Sequence, residues 1–126
     1  MTTTREGGGM GATAADRTPA FSFLTTAYRA EDTLGRTIDA VLAQTRTDWE
    51  LVVVDNGLDD AIAGIVEPHL ADPRIRLVRQ ENRGPIGGVR TAAEHATGRY
   101  LVVLNADDAI TTDFCARTGA VFDAEP

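Results

Sequence analysis

The sequence has one cysteine, Cys115, and only 6% of its 126 residues are aromatic. A single cysteine excludes a disulfide within the chain and favours a reducing compartment. No apolar run reaches the roughly 18 residues that a membrane span needs. The first 20 residues also lack the apolar stretch of a secretory signal. We therefore expect a cytoplasmic protein without a transmembrane segment.

Basic residues are also scarce, since 12 Lys and Arg face 19 Asp and Glu and the formal net charge is -7. This balance disfavours nucleic acid as a partner, because binding to phosphate backbones depends on basic surfaces. A small anionic ligand would need local arginines, helix amino-termini or a divalent cation to offset the overall field.

The amino-terminal segment is rich in Gly, Thr and Ala and contains the run GGGMG. We predict a disordered tail over residues 1–18 and one folded domain over residues 19–126. The competing interpretation, a Gly-rich phosphate loop, requires a preceding strand and a following helix, and the sequence shows neither.

Apolar patterns alternate along the rest of the chain between β-rich runs and helical periodicity. Strands are predicted at residues 21–26, 49–56, 74–80 and 99–104, and helices at 31–45, 59–70, 89–97 and 112–125. The run at 49–56 is apolar on both faces, as in a parallel strand covered by helices. The order β-α-β-α-β-α-β-α predicts an α/β fold, an open mostly parallel sheet with helices on both faces.

Polar clusters follow three of these strands: TTAYRAED, DNGLDD and NADD. Ligands of open parallel sheets bind beyond the carboxyl ends of the strands. The loop after the first strand has no glycine, which argues against a dinucleotide-binding dehydrogenase. The glycines lie instead in NRGPIGGVR, where they allow close approach of a ligand beside a helix amino-terminus.

The cluster NADD places Asn105 and Asp107 on one side of an extended chain. Paired oxygen ligands suit Mg²⁺ or Mn²⁺, which also take water and substrate phosphates. The alternative is an ordinary loop in which Asp108 caps the next helix. Asp55 also has two interpretations. Its carboxylate could accept a hydrogen bond from a base N–H or a ribose hydroxyl, or Asn56-Gly57 could simply form a turn.

Together these stretches resemble the family 2 glycosyltransferases of GT-A fold. The resemblance rests on FSFLTTAYRAEDTLGRTIDAVLAQT, WELVVVDNGLDD, RIRLVRQENRG, HATGRYLVVLNADD and TTDF, in that order, and covers about residues 20–125. It implies the donor-binding half of an enzyme that transfers a sugar, with inversion, from a nucleoside diphosphate (UDP, GDP or dTDP) to an acceptor.

The resemblance also implies roles for single residues on the nucleoside side of the site. The segment Thr26, Ala27 and Tyr28 would cradle the base, with Tyr28 stacked on it. Glu31 would contact the nucleoside, and Asp55 would read the edge of the base.

On the other side, Arg83 and Gly84 would flank the nucleotide. Asn105, Ala106 and Asp107 occupy the family's D-x-D motif, in which Asn105 would contact the ribose and Asp107 would hold the Mg²⁺ or Mn²⁺ that bridges the diphosphate.

The sequence departs from the family pattern at Thr26, Asn56, Leu58 and Asn105, where the family usually has Pro, Asp, Ser and Asp. No residue matches the family's general base, so we expect the acceptor half to be missing from these 126 residues and the isolated chain to be weakly active or inactive. The alternative hypothesis is a non-catalytic interaction module that retains the fold and forms a homodimer through an exposed sheet edge.

Overall fold

The computed structural model describes residues 2–4, 18–108 and 110–124. These residues form five strands, four α-helices and one short 3₁₀ turn. In chain order they are β1 (Thr2–Thr4), β2 (Phe21–Ala27), α1 (Leu34–Leu42), β3 (Trp49–Asn56), α2 (Asp60–Val66), the 3₁₀ turn (Glu67–His69), β4 (Ile75–Gln80), α3 (Gly84–His95), β5 (Tyr100–Val103) and α4 (Phe114–Ala124).

The strands form one sheet in the order β1-β5-β2-β3-β4. Strands β5, β2, β3 and β4 are parallel, and β1 pairs antiparallel with β5. Parallel neighbours need long crossover connections, and α1, α2 and α3 supply them. The predicted α/β class with a mostly parallel sheet is confirmed.

Two cores cover the two faces of the sheet. On the first face, α1, α2 and α4 pack on the odd-numbered residues of β2 and β3, such as Phe23 and Val53. On the second face, Ala92 of α3 and Ala96 just after its end pack on Leu24 and other even-numbered residues of β2 and β3. Because successive side chains of a strand point to opposite faces, the residue number decides which core a strand residue joins.

Helix α1 owes its position to an apolar stripe of buried residues, Leu34, Ile38 and Val41. This spacing is the one that places side chains on one helix face. The sequence also offers Asp32 as an amino-terminal cap, because short acids favour that position, but the cap position is Thr33, which makes no side-chain capping bond.

The third helix begins five residues earlier than predicted, at Gly84 instead of residue 89. The sequence NRGPIGG reads as a turn, yet Pro85 is favourable in a first helical turn because it lacks only an N–H that is unpaired there anyway. Glycine often follows a helix end, so the sequence predicts that Gly98 ends this helix, but the helix stops earlier, at His95, with Ala96 already extended.

The second and fourth helices also differ in detail from the prediction. Helix α2 changes to the 3₁₀ turn at Glu67, just before Pro68, because proline cannot donate the helical hydrogen bond. Helix α4 continues through Gly119. The apolar pattern of this helix predicts that Phe114, Val121 and Phe122 are buried; Phe114 and Phe122 do pack against the first core, but Val121 is exposed.

Most of the predicted tail, residues 1–18, lies outside the described residues. The exception is Thr2–Thr4, which forms an edge strand instead of irregular chain, with Thr3 opposite Leu101. Strand β5 would otherwise leave its outer hydrogen-bonding edge open, and β1 pairs with it. None of the helices in the described ranges is long and apolar enough to cross a membrane.

Candidate nucleotide-binding site

A pocket of about 420 Å³ opens at the carboxyl edge of the sheet, between the strand ends and the start of α3. It lies on the second face, because its strand residues Thr26, Asn56 and Val103 belong to the side that α3 covers. The lining residues come from four segments of the chain: Thr26, Tyr28, Asn56, Asn82, Gly84, Pro85, Val89, Val103 and Asn105.

Tyr28 forms one wall of the pocket and is 48% exposed. Its ring lies over Gly57, where an added Cβ would come within 3.2 Å of the ring. The guanidinium of Arg29 stands 5.2 Å from the ring centroid on a backbone with a φ of 52°. An exposed ring supported from behind is a suitable platform for stacking a planar heterocycle.

Asn56 forms the centre of a hydrogen-bond network behind the pocket. Its amide nitrogen donates to the Gly84 carbonyl (3.0 Å) and to Asn82 Oδ1 (3.3 Å). Its Oδ1 accepts from Gln80 Nε2 (2.9 Å) and from the Arg83 backbone N–H (3.1 Å). All four contacts need the amide, which carries donors and acceptors together.

The side chains of Asn56 and Asn82 accept hydrogen bonds from the backbone at the start of α3. The Arg83 and Gly84 N–H groups donate to Asn56 and Asn82, and Pro85 has no N–H. Lower down, the helix approaches β2 so closely that a Cβ on Gly88 would collide with the Thr26 side chain. The backbone N–H groups that were expected to bind an anion at this helix start are therefore largely hydrogen-bonded within the protein itself.

The chemistry of the lining follows from this arrangement. None of the residues that line the pocket carries a formal charge, and several present amide or aromatic groups. Such a surface is better suited to a neutral heterocycle with hydrogen-bonding edges than to a phosphate group.

Asp55 lies on the opposite face from Asn56, and its side chain is fully buried. One carboxylate oxygen accepts from Arg79 Nε at 2.9 Å, and the other accepts from the Asp59 backbone N–H at 3.0 Å. Arg79 also reaches Asp60 at 2.8 Å. The hydrogen bonds to Asp55 and Asp60 raise the pKa of Arg79, so this cation stays charged beside the sheet edge.

The segment after β5 is a closed turn instead of the extended chain assumed for NADD. The Asp108 N–H donates to the Asn105 carbonyl (3.0 Å), and the Asn105 N–H donates to Asp108 Oδ2 (3.1 Å). Asp108 therefore does not cap α4, which starts six residues later at Phe114. Asp107 is exposed on this turn.

These residues fit a divalent cation only if a ligand shares it. Among the described residues, no group of three or more His, Cys, Asp or Glu is placed to hold a metal ion. The turn offers the Asp107 carboxylate, the Asn105 amide and the second oxygen of Asp108. A Mg²⁺ or Mn²⁺ ion that takes its other ligands from a diphosphate and water needs no more than one or two carboxylates.

Four of the residues predicted from the sequence line the pocket: Thr26, Tyr28, Gly84 and Asn105. The others do not line it. Ala27 and Ala106 are buried, and Asp55 is buried in its ion pair. The other three are exposed but are not among the lining residues: Glu31, Arg83 and Asp107. Their proposed contacts with a nucleotide stay predictions.

Sequence reasoning missed Asn82, Pro85, Val89 and Val103, and it treated Asn56 as a departure from a family pattern. The alternation of residues along β3 was the available signal, because it places Asp55 and Asn56 on opposite faces; the register of β2 with β3 then puts Asn56 on the face of Thr26.

The segment 22–126 matches the model of the family described as "Glycosyl transferase family 2". The succinoglycan biosynthesis protein ExoO of Rhizobium meliloti is 39% identical over 101 residues, which cover 79% of this chain and 29% of ExoO. The glucosyltransferase WfgD of Escherichia coli is 36% identical over 89 residues, covering 69% of this chain and 34% of WfgD.

Solved structures show the same fold. TarS of S. aureus in complex with UDP-GlcNAc superposes with a TM-score of 0.77 at 23% identity, covering 82% of this chain and 31% of TarS. The mannosyltransferase PcManGT of Pyrobaculum calidifontis, in complex with GDP-Man and Mn²⁺, gives a TM-score of 0.74 at 24% identity, covering 86% of this chain and 33% of that enzyme.

The chain thus spans about a third of the length of the relatives and structures that it matches. The match with the family model extends over most of the chain, from the second residue of β2 to the last residue. The chain belongs to glycosyl transferase family 2.

Proposed function

We propose that this chain binds the nucleoside diphosphate of a nucleotide-sugar donor, together with Mg²⁺ or Mn²⁺, as the donor-binding part of an inverting glycosyltransferase. The observation that carries the proposal is the uncharged pocket at the carboxyl edge of the sheet, with Tyr28 as one wall and the Asn105–Asp108 turn at its side.

The base would occupy the pocket, stacked on Tyr28 and hydrogen-bonded to amide groups. The diphosphate would lie outside it, beside the turn, where Asp107 and Asn105 would share a cation with the phosphate oxygens. The bound cation would offset the charge that develops on the leaving diphosphate. The net charge of -7 makes such a cation important, since the overall field of the chain opposes an anionic ligand.

Two structural neighbours were solved with ligands of this class, one with UDP-GlcNAc and another with GDP-Man and Mn²⁺, which supports a nucleotide-sugar donor and a divalent cation as the ligands. Transfer itself needs an acceptor and a base that takes its proton. We propose that the acceptor-binding site and this base belong to the part of the fold that the longer relatives have beyond the matched segment.

The test is calorimetric titration of the chain with UDP, GDP and dTDP, with and without Mn²⁺. We expect one nucleotide to bind preferentially and Mn²⁺ to strengthen its binding. Asp107→Ala should remove the Mn²⁺-dependent gain in affinity, at least about tenfold, and should not weaken metal-free binding, because the pocket does not include Asp107 and one negative charge near the diphosphate is lost.

Asp113→Ala is the matched control, since Asp113 is another acid six residues later in the chain, and among the described residues the one contact given for its carboxylate is a long 4.0 Å approach to Arg117. An Asp107→Ala protein that keeps the full Mn²⁺ effect would disprove the metal assignment. A folded chain that binds none of the three nucleotides would contradict the donor-site proposal and favour the interaction module. Sedimentation would then test whether that module forms a dimer.

A further inference from the structure

Helix α1 contacts the turn after β5 through a buried threonine. Thr37 is 1% exposed, and its hydroxyl lies 2.9 Å from the Ala106 carbonyl and 2.8 Å from the Asp108 carbonyl. The usual contact of a helical threonine, with the carbonyl four residues earlier, is longer here, at 3.5 Å to Thr33. The hydroxyl thus bonds the turn in preference to its own helix.

A second contact comes from Gln44, two residues after the end of α1. Gln44 is 5% exposed; its Nε2 donates to the Thr111 carbonyl at 2.7 Å, and its Oε1 accepts from the Cys115 N–H at 3.0 Å. Thr37 therefore contacts the start of the segment between β5 and α4, and Gln44 contacts its end.

We propose that Thr37 and Gln44 are positioning residues that fix the Asn105–Asp108 turn in the place where Asp107 can share a cation with a bound diphosphate. Neither residue touches the ligand in this proposal. It rests on the proposed function, because it assigns a purpose to contacts beneath the proposed cation site.

The geometry supports a positioning role over simple packing. The Thr37 hydroxyl is directed at backbone carbonyls on both sides of Asp107, which is itself exposed. A side chain needed only to fill space would gain nothing from a hydroxyl at this point. Valine would fill the same volume without a polar atom.

Thr25 provides a matched control. It is also a fully buried threonine, on β2, but its hydroxyl has no hydrogen-bond partner among the described residues. Thr25→Val and Thr37→Val remove the same atom from equally buried positions. Only the second change removes a contact with the turn.

The first experiment compares amide hydrogen exchange by NMR in the unliganded chain. We expect Thr37→Val to speed exchange of the Asp108 amide about tenfold, because the turn loses its buried anchor, and Thr25→Val to leave that rate unchanged. Thr37→Ser keeps the hydroxyl and should restore slow exchange.

The second experiment is titration of the same variants with UDP, GDP and dTDP, with and without Mn²⁺. For the nucleotide that binds the wild-type chain, Thr37→Val should weaken the Mn²⁺-dependent affinity about tenfold. The metal-free affinity should not change, because the pocket does not include Thr37.

If Thr37→Val does not fold, Gln44→Met takes its place, since it removes both the donor to Thr111 and the acceptor for the Cys115 N–H; faster exchange of the Cys115 amide and a weaker Mn²⁺ effect are then the expected results. Unchanged exchange at Asp108, with an unchanged Mn²⁺ effect, in a folded Thr37→Val protein would overturn the inference. If the wild-type chain binds no nucleotide, the proposed function fails, while the exchange comparison still decides whether Thr37 holds the turn.

Discussion

Two adjacent residues at the end of β3 have different environments. Asp55 points to the first face and is buried in an ion pair with Arg79, whereas Asn56 points to the second face and lines the pocket. The amide of Asn56 bonds two acceptors and two donors of the segment between β4 and α3. An acid at this position could not reproduce those bonds, since a carboxylate only accepts.

Asn56→Asp should therefore lower the free energy of unfolding by about 1–3 kcal/mol, because a carboxylate would face the Gly84 carbonyl and Asn82 Oδ1 without a proton between them. Urea denaturation measures this change. Asn82→Asp is the control: Asn82 Oδ1 acts as an acceptor for both Gly84 and Asn56, and a carboxylate preserves that role. Equal losses in the two variants would contradict the explanation.

At the scale of elements, α3 is fixed to the sheet at both ends by polar side chains. Its start is held by Asn56, and the loop after its end is held by Glu50, which is 4% exposed at the other edge of the sheet. Glu50 Oε2 accepts from the Thr97 N–H (2.5 Å) and the Gly98 N–H (3.2 Å), and from Ser22 Oγ on the neighbouring strand (2.5 Å). The helix that lines the pocket is thus positioned from two sides.

Glu50→Ala should lower the free energy of unfolding by about 3 kcal/mol, because it leaves several buried donors without an acceptor. Chemical denaturation gives the value. Glu94→Ala removes an exposed acid of α3 and should change stability by less than about 0.5 kcal/mol. A loss of similar size in both variants would show that the Glu50 contacts contribute little.

At the scale of the whole molecule, within the part of the chain that the structure describes, three helices cover one face of the sheet and α3 covers the other. Cys115 of α4 belongs to the larger core and is fully buried. Burial raises the pKa of its thiol to about 11, because the thiolate would lose its hydration. The thiol therefore stays neutral in the folded protein at pH values where an unfolded chain would already ionise.

This shift predicts a pH dependence with a definite sign. A group whose pKa is higher in the folded state stabilises the fold fully below its unfolded pKa, and that contribution is lost as pH rises towards the folded value. The free energy of unfolding should therefore fall by about 2 kcal/mol between pH 9 and pH 11.

Thermal unfolding across this range measures the effect, with Cys115→Ala as the control that should show a flatter profile. The range is informative because the sequence contains no lysine, which would otherwise titrate there. Identical pH profiles for the wild-type chain and Cys115→Ala would rule out the thiol as the cause.

The sequence predicted the order of the elements well, because periodic apolar patterns and turn residues are local signals. The β3 prediction matched all of Trp49–Asn56, and the four predicted helices all exist. The predicted start of α3 was wrong because of a tertiary contact. Asn56, on another strand, satisfies the backbone at the helix start, so a segment that reads as a turn becomes helical.

The candidate site was predicted less completely. Sequence reasoning placed the candidate site at the edge of the sheet where the pocket opens, and four of its residues line that pocket, since polar loops after parallel strands mark that edge. It chose Asp55 over Asn56 because a carboxylate suggests chemistry, but which of the two faces α3 depends on the strand register. It also missed Thr37 and Gln44, whose contacts join residues about 70 positions apart in the chain.

By itself, the sequence determined the α/β class, the parallel strands and the family, because these follow from patterns and motifs within short segments. Only the tertiary structure decided which polar residues meet in the pocket, which acid is buried in an ion pair, and that the Asn105–Asp108 turn is held by α1. The physical reason is that these contacts depend on the face of each strand and on the packing of distant helices, and neither is encoded in any one segment.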